Sequence, residues 1–283
     1  MTSDAGNQIT ALDPLADCQE IARLLATCEF SWDIERALEF ALFRTYALPS
    51  ISGLLDRTGE FARRPRKRYD DTELILSEIL ENGFDSERGR LALARMNDMH
   101  GRFRIANEDM LYVLSTFVFE PIRWIDRFGR RPMTEHEKSA WFQYHRELGR
   151  RMGISDIPSD RDGLEAVNRD VEATRFRYAD SNQAVGAVTR DLLLSFYMPR
   201  WLFGIGRPAA HAFMDAPLLQ AMGFSMPPEW LRRFMMMAMG LRRAVLRRLP
   251  PRRQPRRLTE IRRPTYPEGH RVEELGTFRC GPP

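Results

Sequence analysis

The fold class is decided by the stretch Leu111-Tyr112-Val113-Leu114-Ser115-Thr116-Phe117-Val118-Phe119. Apolar residues fall on nearly every face of a helix built from it, and a helix that is apolar all round is buried. Asn107 or Asp109 can cap this helix, because short polar side chains accept hydrogen bonds from the free N–H groups of a first helical turn. The sequence therefore predicts a buried central helix over residues 110–128.

Helical periodicity and helix-start signals continue on both sides of this stretch. Thr134 with Glu137 has the spacing of a capping box, and Asp70 with Glu73 has the spacing of an acidic variant of one. No run shows the strict alternation of a half-buried strand. The sequence predicts an all-α fold of about ten helices. The further predicted helix starts are Pro14, Ser31 or Asp33, Pro49, Asp85 or Ser86, Ser159 or Asp160, Asn182, Pro208 and the pair Pro227-Pro228.

The two ends of the chain lack this periodicity. Residues 1–13 are predicted to form a flexible N-terminal lead-in, and residues 14–249 a single all-α domain. Residues 250–283 are rich in Pro and Arg, and we expect them to form an extended tail packed on that domain.

The last predicted helix, after Pro227-Pro228, has one apolar and one basic side. The preferred interpretation is that the apolar stripe packs on the core while the arginines are solvated. The alternative is a peripheral contact between this basic helix and an anionic membrane. The stripe comprises Leu231, Phe234, Ala238, Leu241, Val245 and Leu249, and the opposite side carries Arg232, Arg233, Arg242, Arg243 and Arg247.

The chain of 283 residues has a net charge of +4, and much of the basic excess lies in residues 242–263. A basic protein invites a nucleic-acid interpretation, but no zinc-finger spacing, ribonucleoprotein aromatic motif or helix-turn-helix signature is present. Nucleic-acid binding is therefore not expected.

Compartment signals are few. No apolar run reaches the ~18 residues that a membrane span needs, and no secretory leader pattern precedes residue 14, so a cytoplasmic location is the prediction. The three cysteines, Cys18, Cys28 and Cys280, are an odd number and form no Cys-x-x-Cys pair. This pattern argues against a disulfide framework, a zinc ribbon and covalent haem attachment.

His100 is the residue that points most directly to a function. At helical spacing it shares one otherwise apolar face with Leu93, Met96 and Phe103. A buried imidazole without a partner costs roughly 1–3 kcal/mol, so the ring needs one. On this segment alone a core histidine hydrogen-bonded to a neighbour is favoured, and an axial ligand to a haem iron is the alternative.

Other catalytic patterns are missing from the sequence. There is no Glu-x-x-His pair for a di-iron site, no His-x-x-x-His pair, no Gly-x-Ser-x-Gly elbow and no phosphate-binding glycine loop. A histidine-ligated cofactor is the economical option that is left.

In four stretches the chain resembles the catalytic domain shared by rubber oxygenases (the latex-clearing proteins) and the fungal endoplasmic-reticulum-bound oxygenase of mycophenolic acid biosynthesis. The resemblance runs from about residue 37 to residue 158 and more weakly to residue 276. Its specificity lies in the order and spacing of the motifs. They are Thr58-Gly59-Glu60-Phe61 with Arg68-Tyr69-Asp70-Asp71-Thr72; Met96-Asn97-Asp98-Met99-His100 with Asn107-Glu108-Asp109-Met110-Leu111-Tyr112; Phe117-Val118-Phe119-Glu120-Pro121-Ile122-Arg123-Trp124 with Arg130-Arg131-Pro132-Met133-Thr134; and Gly149-Arg150-Arg151-Met152-Gly153-Ile154 with Asp156-Ile157-Pro158 and Thr265-Tyr266-Pro267.

The resemblance implies a b-type haem (heme b) held between central helices, with His100 as the proximal iron ligand. Arg68 and Thr72 would match the distal pair that donates hydrogen bonds to dioxygen or to a developing oxyanion. In the latex-clearing branch a lysine precedes that threonine, whereas this chain has Asp71. The departure leaves the distal ligand open and favours the mycophenolate-type branch.

Further roles follow from the same resemblance. Asn97 could accept the second ring N–H of His100, and Glu60 could act as a base or simply pair with Arg63 or Arg64. Arg44, Arg64 and Arg104 are candidates for the haem propionates. Phe103, Tyr112, Phe117 and Phe119 would suit a pocket or plain core, and His136 and His145, expected at the surface or its boundary, are reserve ligands.

The sequence thus predicts a haem b-dependent oxygenase that uses O2 on an apolar, isoprenoid-type substrate. Two alternatives stay open: a non-catalytic haem-binding or sensing protein on the same fold, and a helical interaction protein without haem.

Overall fold

The computed structural model of the protein describes residues 4–250, 252 and 254–276. It is 73% helical, and the described residues contain no strand, so the all-α prediction is confirmed. Cys280 lies outside these residues. The helices are α1 (Asp4–Ala11), α2 (Cys18–Leu24), α3 (Ser31–Tyr46), α4 (Pro49–Thr58), α5 (Glu60–Arg63), α6 (Pro65–Asn82), α7 (Glu87–Gly101), α8 (Asn107–Phe128), α9 (Glu135–Arg151), α10 (Arg161–Arg175), α11 (Asp180–Ser195), α12 (Phe203–His211), α13 (Ala216–Ala221) and α14 (Glu229–Arg248).

Helix α8 is the central element, as its composition predicts. It packs against α3, α9, α10 and α14. Tyr112, Val118 and Ile125 are completely buried along its length. The apolar stretch from 111 to 119 therefore organises the core, because only a surrounded helix can bury side chains on all its faces.

Local capping signals place several helix starts correctly. Thr134 and Glu137 form the predicted capping box, and the side chains of Ser86 and Asp160 cap α7 and α10. The predicted box at Asp70 is wrong. Helix α6 already begins at Pro65, since proline at the first helical position loses no hydrogen bond.

The N-terminal residues differ from the flexible lead-in expected over 1–13. Residues 4–11 form α1, and Ile9 is only 2% exposed. The carbonyl of Ile9 accepts a hydrogen bond from His136 on α9 at 3.0 Å. A tertiary contact with a distant helix therefore holds a segment that was expected to be flexible.

The C-terminal residues 254–276, which we call the strap, lie along α6. Their contacts are largely with carboxylates of that helix. Thr265 donates to Asp70 at 2.6 Å, and Leu275 is fully buried. The other pairs are Arg257 and Thr259 with Glu81, Arg263 with Glu73, Tyr266 with Asp71 and His270 with Glu78.

The preferred orientation for the last helix is wrong. Of the predicted apolar stripe only Leu231 is buried, and Arg232, Arg242 and Arg243 face the body of the protein instead. Arg242 and Arg243 donate to the carbonyls of Phe128 and Arg127 at the end of α8. The last carbonyls of a helix lack intrahelical donors and carry partial negative charge, so arginine satisfies them well.

Candidate functional site

The hairpin of α6 and α7 brings three of the predicted site residues together. Gly83, with φ at 88°, ends α6, and Ser86 caps α7. A Cβ on Gly89 would lie 1.8 Å from the carbonyl oxygen of Gly83, so the turn needs a glycine there. Because the two helices run antiparallel, the start of α6 lies beside the end of α7, where His100 is found.

Within the part of the chain that the structure describes, His100 is the one histidine whose ring makes no hydrogen bond. Its Nδ1 is buried and has no partner among the described residues. The other four rings are all bonded: His136 to the Ile9 carbonyl, His145 to the Trp141 carbonyl, His211 to Arg190 and the Ser225 carbonyl, and His270 to Glu78. A satisfied core histidine, the interpretation that the local sequence favours, is therefore not what the structure places at position 100.

The electrostatic surroundings keep this imidazole neutral. Burial, reinforced by the positive charge of Arg68, lowers the pKa of His100 to about 4. The Arg68 guanidinium therefore acts on the ring through its charge. Neutral imidazole with a free nitrogen is the form that binds metal ions.

This lowered pKa makes a prediction about stability. The folded protein protonates His100 only near pH 4, whereas an unfolded chain does so near 6.5, so the unfolded state holds more protons in between. The free energy of unfolding should therefore rise as the pH increases through that window. Urea denaturation should show a flatter rise for His100→Gln. Leu91→Gln, an exposed change on α7, is the control and should keep the wild-type slope of unfolding free energy against pH. An unchanged slope in His100→Gln would contradict the lowered pKa of His100. Some slope remains in either variant, because burial also lowers the pKa of His145 to about 4.

Arg68 and Thr72 form one unit on α6. Nη1 of Arg68 donates to Oγ1 of Thr72, whose hydroxyl donates to the Arg68 carbonyl at 2.8 Å. The guanidinium lies over the ring of Phe61, 5.7 Å from its centroid. The spacing of four residues thus places both donors on one helix face, as predicted.

Asp71 belongs to a different environment. Its carboxylate accepts from Nζ of Lys67 at 2.7 Å and from the hydroxyl of Tyr266 in the strap. It is nearly fully buried there. The acidic residue that stands where the latex-clearing branch has lysine is therefore fixed to the strap, and within the described residues its carboxylate bonds to Lys67 and Tyr266 and to neither Arg68 nor Thr72.

Glu60 begins α5 and is buried in an ion pair. Its two carboxylate oxygens accept from Nε and Nη2 of Arg64 at 3.0 and 2.8 Å. Arg63 lies farther off, at 3.7 Å. Pairing with Arg64 is one of the two roles considered for Glu60, the other being a base. The same ion pair occupies the Arg64 guanidinium, which was a candidate for a haem propionate.

Four other predicted residues lie elsewhere. The Asn97 amide donates to the Arg151 carbonyl at 2.9 Å and ties α7 to α9, so no contact with His100 is seen. Phe103 is 44% exposed, because α7 ends at Gly101 before the apolar face can continue. Arg44 is enclosed by Glu120, Glu172 and Asp215. His145 is buried, not at the boundary.

Arg104 is the remaining propionate candidate. It is exposed just beyond the end of α7, and no carboxylate pairs with it in the described part of the chain. Tyr112 and Phe119 are core residues, as one of the two interpretations held.

Two neighbours of Arg68 were not singled out as site residues. Phe61 lies under the guanidinium, and its position in the Thr58-Gly59-Glu60-Phe61 motif could have indicated it. Tyr46 is buried, which raises its pKa to about 12 although the Arg68 charge lowers it in part. Nothing in the local sequence of α3 indicates Tyr46 as a site residue, since Arg68 lies on another helix, α6.

Two kinds of feature are absent from the described residues. No group of three or more His, Cys, Asp or Glu side chains is placed to hold a metal ion there. No helix in that part of the chain has the length and hydropathy to cross a membrane.

Comparison with known proteins adds to this geometry. The profile described as "ER-bound oxygenase mpaB/B'/Rubber oxygenase, catalytic domain" matches residues 41–258. ER-bound oxygenase mpaB' of Penicillium brevicompactum is 32% identical over 252 residues, which is 82% of this chain and 59% of that protein. ER-bound oxygenase mpaB of Penicillium roqueforti (strain FM164) is 31% identical over 220 residues, 72% of this chain and 74% of that protein. The matched part thus spans about three fifths of the first relative.

Proposed function

We propose, because this chain belongs to the ER-bound oxygenase mpaB/B'/rubber oxygenase catalytic-domain family, that it is a haem b-dependent oxygenase acting on an apolar, isoprenoid-type substrate. The observation that carries the haem assignment is the bare imidazole of His100. It is neutral, its Nδ1 is buried without a partner, and the other four histidines are bonded. These residues would suit a haem whose iron is held by His100.

The proposed roles follow from the geometry of the hairpin. A bound haem would supply the chemistry that activates dioxygen. His100 would hold the iron, and Arg104 would pair with a propionate. Arg68 would direct N–H donors at an oxygen atom that gains negative charge, since preorganised donors stabilise such charge. Thr72 would add its O–H donor by turning it away from the Arg68 carbonyl.

Glu60 is proposed as the proton acceptor. Its carboxylate is held by Arg64, whose side chain is 44% exposed, so the pair can open when substrate enters. The exposed Arg64 side can move into solvent, and the cost of leaving the buried Glu60 carboxylate without its cation would be offset when that carboxylate takes up the proton. Asp71 has no role in the chemistry, because it is engaged by Lys67 and Tyr266.

The test begins with an absorption spectrum. Purified protein, reconstituted with haemin, should show a Soret band, and the haem-loaded protein should consume dioxygen with one or more of farnesol, squalene and short polyisoprene. A missing Soret band would end the haem proposal. A Soret band with no uptake across the panel would contradict the oxygenase proposal and favour haem binding or sensing.

Arg68 gives a separate prediction about activity. Arg68→Met should keep the Soret band but lower dioxygen consumption by at least ~10-fold, because one oxyanion donor is typically worth a hundredfold or more. The measurement is oxygen-electrode turnover at equal haem content. Arg90→Met, an exposed change on α7, is the matched control and should retain wild-type turnover. Equal turnover in both variants would remove Arg68 from the reaction.

A further inference from the structure

The outward side of α14 is an unusually large apolar surface. Trp230, Phe234, Met237, Leu241 and Val245 are between 47% and 69% exposed. At about 100° per residue these five fall within roughly 80° of the helix circumference. We call them the outer stripe. They form one continuous line along the helix.

Exposed apolar side chains are concentrated in this part of the molecule. Ten of the fifteen large hydrophobic residues exposed in the described chain lie between residues 197 and 249. Trp201 is 80% exposed and Ile205 70%, and they lie on and just before α12, which packs against α14. A contiguous exposed apolar surface of this kind marks an interaction site.

The opposite side of α14 fixes the outer stripe in this orientation. Arg242 forms an ion pair with Asp33 at 2.9 Å and also donates to the Phe128 carbonyl. Arg232 donates to the Met214 carbonyl at 2.7 Å, and Met239 is buried. Because these bonds are specific to the inner side, rotating the helix to bury the stripe would break them. The bonds on the inner side of α14 therefore keep the outer stripe exposed.

The charge around the outer stripe indicates the occupant. Helix α14 carries six arginines and one acidic residue, Glu229. Arg200, Arg248 and Arg252 are exposed, and no carboxylate pairs with them within the described residues. A second copy of the chain would bring arginine against arginine, with almost no acid to compensate. An anionic lipid surface complements both the charge and the apolar line.

We propose that the outer stripe, with Trp201 and Ile205, docks this protein on an anionic lipid bilayer. The helix lies in the plane of the interface, its apolar side chains enter the acyl boundary, and the flanking arginines contact lipid phosphates. The two tryptophans suit this depth, since an indole is apolar in its body and polar at its N–H.

The experiment is vesicle co-sedimentation of the full chain, with vesicles of three parts phosphatidylcholine to one part phosphatidylglycerol. The wild-type protein should bind them, bind pure phosphatidylcholine much more weakly, and lose affinity as salt increases. Leu241→Asp and Phe234→Asp should each weaken binding at least ~10-fold, because an aspartate cannot enter the acyl boundary. Leu15→Asp, which is the same change at an equally exposed leucine away from α14, should bind like wild type.

Circular dichroism and thermal unfolding show whether each variant is folded. Failure of the folded wild-type protein to sediment with anionic vesicles would overturn the proposal. So would equal binding by Leu241→Asp and wild type. A wild-type dimer in light scattering that Leu241→Asp dissociates, without vesicle binding, would assign the stripe to a second copy instead. Each assay gives the same readout with or without haem.

Discussion

Replacing His100 with alanine is expected to abolish haem retention while the helical circular dichroism persists. We expect affinity for haem to fall more than ~100-fold, since even the hydrogen-bond partner of a metal ligand is worth 10–100-fold. The ring makes no hydrogen bond to the protein, so its removal breaks no network. The change should therefore separate ligand loss from unfolding.

The matched control is His136→Ala. This variant also loses an imidazole, but from a half-buried position on α9 whose ring is bonded to the Ile9 carbonyl. That variant should keep a normal Soret band at equal haemin. A His100→Gly variant adds a second readout, because free imidazole can enter the space left by the ring and should restore part of the band. Normal haem occupancy in His100→Ala would mean that the wrong ligand has been chosen, and His145→Ala would then be examined next.

How far the sequence predicts this site can be judged from His100 itself. Its helical face and its neighbours are local information, and they identify the residue. Whether its ring is bonded depends on side chains from other helices, so the local sequence favoured a hydrogen-bonded core histidine and could not show that the imidazole is bare. Arg68 and Thr72 were predictable as a pair because they are four residues apart on one helix.

Long-range contacts explain the wrong predictions. The sequence left open what Asp71 means for the distal side, because its partner is distant: Tyr266, 195 residues later, donates to its carboxylate. The orientation of α14 depends on free carbonyls at the end of α8, more than 110 residues earlier. An apolar stripe in the sequence shows that a helix has two sides; it does not show which side meets the protein.

The all-α class was predictable because the signals for helices are local. Each of these signals depends on residues close together in the chain. They are the helix periodicity, the capping box at Thr134 and the caps at Ser86 and Asp160. Tertiary packing then selects among arrangements that these local signals allow. The N-terminal segment shows the limit, since α1 is held by a hydrogen bond from His136, 127 residues later, to the Ile9 carbonyl.

Replacing Arg44 with methionine is expected to destabilise the fold by roughly 3–5 kcal/mol, the usual cost of removing one partner from a buried ion pair. Nε of Arg44 contacts Glu120 at 2.9 Å and Nη1 contacts Glu172 at 3.1 Å. These carboxylates are largely buried, whereas Asp215 is nearly half exposed, so its pair adds little. Burial already raises the pKa of Glu172 with Arg44 in place. Without the arginine, Glu172 would be a buried acid that ionises with difficulty.

Thermal unfolding measures this loss, and the midpoint should fall by roughly 6–15 °C. Arg57→Met, an exposed change on α4, is the matched control and should shift the midpoint little. The haem titration decides between the two roles considered for Arg44. Below its lowered midpoint, folded Arg44→Met should bind haemin as wild type does, since three carboxylates occupy the guanidinium. Weakened haem binding with an unchanged midpoint would instead place a propionate on Arg44. An arginine that holds buried carboxylates together has to cost stability when it is removed, even though Arg123 also pairs with Glu120.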